Sequence, residues 1–277
     1  EPVWTILDTP KRYALLSELT EASELNFEFD YRELGLFALD DPDAGVRVAA
    51  IELLWEDESL ELMTRLMDIA QWDESAQVRA AAVSALGRFV LLGEYDEIPQ
   101  KESTRVQEAV ISILTNDDED IDVRRRALEA IANSAHEIVN EAILEAYHGS
   151  EQKMKASSIF AMGRTYDNKW QDIVLREINS DDPEIRYEAA RSAGELEITE
   201  ALPHLGRLAV DDEREIKEAA IWSLGEIAGR ESLRILSALA EDAEQAEDES
   251  LLEAIEDAIG NASLVGDDLN VDDDDLE

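Results

Sequence analysis

A repeat of about thirty-one residues runs through this chain and limits the folds open to it. Six segments align on one apolar residue: Val46, Val78, Val123, Met154, Ile185 and Ile216, spaced by 32, 45, 31, 31 and 31 residues. The next residue is basic in every copy: Arg47, Arg79, Arg124, Lys155, Arg186 and Lys217. Four positions beyond the anchor the residue is small: Ala50, Ala82, Ala127, Ser158, Ala189 and Ala220. Eight beyond it stand Leu54, Leu86, Ile131, Met162, Ala193 and Leu224. Nine beyond it, Gly87, Gly163, Gly194 and Gly225 recur, with Trp55 and Ala132 in the other two copies. At about 100° per residue, positions 0, +4, +5, +7, +8 and +11 share one broad sector, so each segment reads as an amphipathic helix. Positions +2, +6 and +10 fall opposite, toward solvent. A degenerate seventh copy spans Ser250–Gly260, with Leu251, Leu252 and Ile255 as its apolar residues.

A second amphipathic stretch precedes these helices, as in Leu60, Leu62, Met63, Leu66, Met67 and Ile69, or in Ile173, Val174, Leu175 and Ile178. Acidic turns join the two, such as Asp40-Asp41-Pro42-Asp43 and Ser180-Asp181-Asp182-Pro183. There a carboxylate can accept the free amides of the first turn, and Pro suits the first helical position. One such hairpin cannot bury its apolar face alone, whereas stacked hairpins share a continuous core. The basic residue at +1 lies inside the apolar sector, where an unpaired charge is costly. The turn carboxylates of the adjoining repeat are its expected partners, which makes the row an inter-repeat ladder.

Segments such as Val78-Arg79-Ala80-Ala81-Ala82-Val83-Ser84-Ala85-Leu86-Gly87 and Ile216-Lys217-Glu218-Ala219-Ala220-Ile221-Trp222-Ser223-Leu224-Gly225 resemble HEAT-like repeats of the phycobilisome-lyase-like class. The resemblance covers roughly residues 28 to 260. It implies an all-α fold, an α-solenoid (superhelix) of about seven HEAT-like helix-turn-helix repeats with an N-terminal capping helix. The organisation expected is a cap over 1–27, with Pro10–Thr20 helical, a solenoid over 28–262, and an acidic, disordered tail over 263–277. The fourteen-residue excess between the second and third anchors falls around Gly93–Glu102 and reads as a longer loop.

Composition narrows the function. The 67 Asp and Glu against 24 Lys and Arg leave a net charge of −43, so nucleic acid is a poor partner for a chain that is itself a polyanion. With no Cys there is no thiolate metal site or cysteine nucleophile. Apolar runs such as Phe89-Val90-Leu91-Leu92 are too short to span a bilayer, and no segment resembles a signal peptide, so a cytoplasmic location without membrane attachment is expected. The six Lys against eighteen Arg, with so many carboxylates, also resemble a salt-adapted proteome. His136 reads as lying near the end of a repeat helix, and His148 and His204 lie in other repeats with no shared spacing. HEAT-like hydroxylases hold iron with several His-Glu pairs; this chain has one, His136-Glu137. No catalytic, cofactor-binding or metal-ligating residue is assigned.

The outward row of the second helices offers a recognition surface. The resemblance implies that these helices line the concave side of the stack. Phe160, Tyr187, Arg191 and Trp222 would then form an aromatic and arginine cluster across three successive repeats, residue types that anchor interfaces. Glu129, Glu188, Glu195, Glu218 and Glu226 surround it and favour a basic partner. The function expected is a non-enzymatic scaffold binding a basic protein segment. The alternative carried by the resemblance is a phycobilin lyase-like subunit, with the aromatic row cradling a tetrapyrrole and Arg125, Arg126 or Arg191 holding its propionates.

Overall fold

The structure, a computed structural model, describes residues 4–25 and 30–268, all helix or connection with no strand. Much of the expected acidic tail, from 269 onward, lies outside the described residues, as do residues 1–3 and 26–29. The helices are α1 (Thr9–Leu25), α2 (Arg32–Ala38), α3 (Ala44–Leu53), α4 (Leu60–Trp72), α5 (Ala76–Glu94), α6 (Gln100–Leu114), α7 (Ile121–Ile131), α8 (Ile138–His148), α9 (Gln152–Arg164), α10 (Gln171–Glu177), α11 (Pro183–Glu195), α12 (Leu202–Leu208), α13 (Arg214–Ile227), α14 (Gly229–Gln245) and α15 (Glu249–Asp268). From α2 onward they form seven successive pairs in chain order, the architecture of an α-solenoid. The chain divides into two compact units, Glu1–Ala142 and Ile143–Glu277, with the boundary inside α8.

In the first unit α1 packs on α3, α3 on α5, and α5 on α7, while α2, α4 and α6 cover them as the first helices of their pairs. In the second unit α9, α11, α13 and α15 follow one another in the same way, backed by α10, α12 and α14. All six anchors are buried, as are all six small residues four positions on. In the degenerate copy, Ile255 is fully buried. The acidic turns cap their helices: the Asp43 side chain accepts the Val46 amide at 3.2 Å, and Asp182 accepts that of Ile185 at 3.1 Å.

The recurrent glycines mark where second helices touch. A Cβ on Gly194 would lie 2.8 Å from the Ser223 Cα, and one on Gly163 would lie 3.0 Å from the Ser192 Cα. At the same contacts Ser192 Oγ donates to the Ile159 carbonyl and Ser223 Oγ to that of Ala190, each at 2.8 Å. The repeats carrying α11 and α13 are thus each bonded to the one before through a buried hydroxyl at +7.

Four of the six residues in the basic row form a ladder. Arg47 forks onto the Asp73 carboxylate with two hydrogen bonds of 2.8 Å and donates to the Asp41 carbonyl of its own turn. Arg79 reaches Glu119 at 2.6 and 3.1 Å and the Asp73 carbonyl at 2.8 Å. Lys155 pairs with Glu177 at 3.0 Å, and Arg186 lies 3.8 Å from Asp211. Arg124 departs from the pattern, bonding the Leu114 carbonyl and the exposed Asp117 of its own turn.

Four expectations need correction. The excess around Gly93–Glu102 is not a long loop. It lengthens α5 to 19 residues and α6 to 15, leaving a short connection between them. The cause is packing: Phe89, Val90 and Leu92 extend the buried face of α5, and Gly93 admits Ser103, whose Oγ would lie 2.2 Å from any Cβ there. The same helix, Ala76–Glu94, is long and apolar enough by length and composition to cross a membrane, contrary to the run-length argument. Its apolar face is occupied by α3, α4, α6 and α7. His136 does not end a helix but precedes α8, its Nδ1 accepting the Ile138 amide at 3.2 Å. The outward row is not uniformly solvated either: Arg125 and Ala156 are buried.

Candidate partner-binding face

The second unit carries most of the residues singled out for recognition. On α11, Tyr187 and Arg191 stand one helical turn apart on one face. Trp222 stands on α13, where the thirty-one-residue period places it beside Arg191. The Arg191 guanidinium lies over the Trp222 ring, 5.0 Å from its centroid. With Glu215, Glu218 and Ala219 of α13, these residues line an open groove of about 450 Å³. Trp222 keeps 37% of its surface exposed.

A second layer extends from the groove toward α9. Arg164 lies over the Phe160 ring at 5.3 Å and approaches Glu195 at 3.5 Å. Arg191 approaches Glu195 from the other side at 3.8 Å. The order across the helices is therefore Phe160, Arg164, Glu195, Arg191, Trp222: two ring-bound cations sharing one carboxylate. Burial pushes the Glu195 pKa up; Arg164 and Arg191 pull it back only in part, and Glu226 adds to the rise. Burial works against the Arg191 charge, yet Tyr187 and the carboxylates of Glu195 and Glu188 hold its pKa above the ordinary value. Both guanidinium groups thus lie over a ring and share one carboxylate, while the Arg191 Nε is buried without a hydrogen-bond partner.

Glu218 lines the groove and accepts a 2.6 Å bond from Arg214. Glu226 accepts from the Asn261 amide at 2.7 Å. Glu188 is half-buried on α11 beside Arg191. Phe160 is half-buried beneath Arg164 and does not line the groove. Glu129 belongs to α7 in the first unit, where it pairs with Arg125 at 3.8 Å and with Arg126. Sequence reasoning passed over Glu215, Ala219 and Arg164. The +10 column, which reads Arg164, Glu195, Glu226 at intervals of 31, held the signal for the last of these. Among the described residues no group of three or more His, Asp or Glu side chains is arranged to hold a metal ion.

Residues 171–256, which include α11 and α13, match the family of HEAT repeats. No curated protein sequence matches the chain. Among solved structures the chain is similar to YibA of Escherichia coli, with 14% identity over 93% of this chain and 98% of that one, at a TM-score of 0.49. Human deoxyhypusine hydroxylase, solved with glycerol, is 16% identical over 93% of this chain and 91% of that one, with a TM-score of 0.41. The Kap95 and Nup1 complex matches at 13% identity and a TM-score of 0.49, covering 92% of this chain but only 39% of that one.

Proposed function

We propose that the chain is a non-enzymatic, cytoplasmic binding scaffold whose second-helix face takes a basic segment of another protein. The observation that carries this reading is the groove between α11 and α13. A partly exposed Trp222 and Tyr187 supply anchoring surface, and Glu215 and Glu218 supply negative charge beside them. The chain's net charge of −43 adds a long-range field that draws cations and repels anions. Rings of this kind hold guanidinium and ammonium groups, and Arg191 already occupies one face of Trp222 in that manner.

The test is affinity capture from the native host with the wild-type chain and a Trp222→Ala variant in parallel, at low and high salt. A basic partner lost in the variant, by about thirtyfold in affinity, and weakened by salt is the expected result. An acidic partner, or one retained equally by both proteins at both salts, defeats the reading. The chromophore-handling alternative, with a phycobilisome-lyase-like classification, draws less support. Arg125 is buried against Glu129, and Arg191, though it lines the groove, lies against Trp222 and beside Glu195, so a propionate would have to compete with both. An absorption spectrum of a bilin that shifts on adding the protein would revive it.

A further inference from the structure

A second groove lies in the first unit, at its turn edge rather than on the second-helix face. It has a volume of about 550 Å³ and is formed by the end of α2, the start of α3 and the last turns of α4. Trp72 closes α4 and is 75% exposed, the most exposed aromatic side chain among the described residues. A tryptophan costs free energy in water that a packed neighbour would remove, and here none covers it. Five carboxylates line the groove, Asp40, Asp41, Asp68, Asp73 and Glu74, against the two guanidinium groups of Arg47 and Arg65.

These charges divide sharply by role. Asp73 is bound by Arg47 as a rung of the ladder, and Asp41 is held by Arg12 and the Trp4 indole, both at 2.8 Å. Asp40 pairs with Arg65 at the surface. Asp68 and Glu74 remain exposed, and Glu74 touches the ladder only through the field it adds at Arg47. Asp68 sits four residues before Trp72, so the two side chains are neighbours on one face of α4, and Glu74 follows two residues after. An exposed indole flanked by two exposed carboxylates, in a groove three charges negative, complements a cation with a flat face. Guanidinium has that shape: it stacks on an indole while its edge donates to a carboxylate.

We propose that the Trp72 groove is a docking site for an arginine-bearing segment of a partner protein, separate from the α11–α13 face. The arginine stacks on Trp72 and donates to Asp68 and Glu74, and Arg65 limits affinity by occupying the adjoining Asp40.

The experiment uses the full chain and a capped Ser-Arg-Ser-Arg-Ser peptide, with the citrulline peptide as its uncharged isostere. Binding is followed through the Trp72 indole N–H resonance, assigned with Trp72→Phe. The arginine peptide is expected to shift that resonance and the citrulline peptide to leave it in place. Trp72→Ala should weaken binding by about tenfold, and Asp68→Asn with Glu74→Gln by a similar factor. Arg65→Gln should tighten it, a gain that a damaged fold would not produce. Trp222→Ala should leave the Trp72 response intact, so failure of this site and failure of the α11–α13 reading are separable. Equal binding of the citrulline peptide, or indifference to the two carboxylate changes, overturns the proposal. Concentration-dependent self-association abolished by Trp72→Ala would also overturn it, by making a second copy of the chain the occupant.

Discussion

At the scale of single residues, the tightest constraint is the glycine at +9. In an isolated helix, Gly to Ala gains about 1 kcal/mol because glycine is the more flexible residue. The neighbouring helix reverses the sign at Gly194, where a methyl would sit 2.8 Å from the Ser223 Cα and 2.7 Å from its Oγ. The backbone of α13 must move, and the Ser223 bond to the Ala190 carbonyl moves with it. Gly194→Ala is expected to destabilise by about 2 kcal/mol in urea unfolding. At Gly87 the nearest atom to a new Cβ is the Ala130 Cα at 3.3 Å, so Gly87→Ala should cost well under half as much. Equal effects of the two changes would show that close helix approach is not what the glycine serves. The glycine column was plain in the sequence, but its purpose was not. The Ser192 and Ser223 hydroxyls that define the approach occupy a position read only as apolar.

At the scale of elements, the ladder is what joins one hairpin to the next. Arg47 and Asp73 are both about nine-tenths shielded from water. Arg47→Ala should therefore cost about 3 kcal/mol, because it strands a buried carboxylate. Arg124→Ala, whose partner Asp117 is exposed, should cost under about 1 kcal/mol. Burial alone would raise the pKa of Asp73 and of Glu119, but hydrogen bonds from Arg47 and Arg79 bring both below the ordinary carboxylate value. A depressed carboxylate contributes stability that is complete above its unfolded pKa, near 4, and is lost as pH falls through the folded one. Glu195 runs the opposite way, since its raised pKa means folding disfavours its charged form relative to the unfolded chain. At neutral pH, Asp73→Asn is expected to lower the unfolding midpoint and Glu195→Gln to leave it unchanged or raise it. Wild type and Asp73→Asn should converge as the pH drops below about 4. Anchor positions revealed these hairpins because each contact is repeated at a fixed interval. The sequence misled where the interval failed. Gly93 and Pro99 looked like loop punctuation, whereas Gly93 is an inter-helix contact. Arg125 looked solvated on a helical wheel, yet α7 is flanked by both α5 and α6, so its buried sector is wider than one apolar stripe.

At the scale of the whole molecule, charge decides how the other interactions are felt. A net charge of −43 sets exposed carboxylates against one another, and the Lys- and Arg-free stretch after Arg234 concentrates part of that repulsion. Added salt screens exposed charges beyond about 10 Å at 0.1 M, while the shielded rungs of the ladder are screened much less. Salt should therefore stabilise the fold and weaken recognition at the same time. A habitat adaptation and a basic partner both account for the composition, and this opposition separates them. If the acidity serves a salty habitat, the chain unfolds when salt is withdrawn, and adding it back restores helical circular dichroism. If the acidity serves recognition, the buried anchors and Arg–carboxylate rungs hold the fold without added salt. On the structure, the second outcome is expected. The chain should be fully helical at low ionic strength, with a melting temperature that rises by about 5 °C as salt is added. The affinity for a basic segment should fall over the same range. A fold lost at low salt would assign the carboxylates to solvation and leave the grooves at Trp222 and Trp72 with aromatic surface but no electrostatic selectivity.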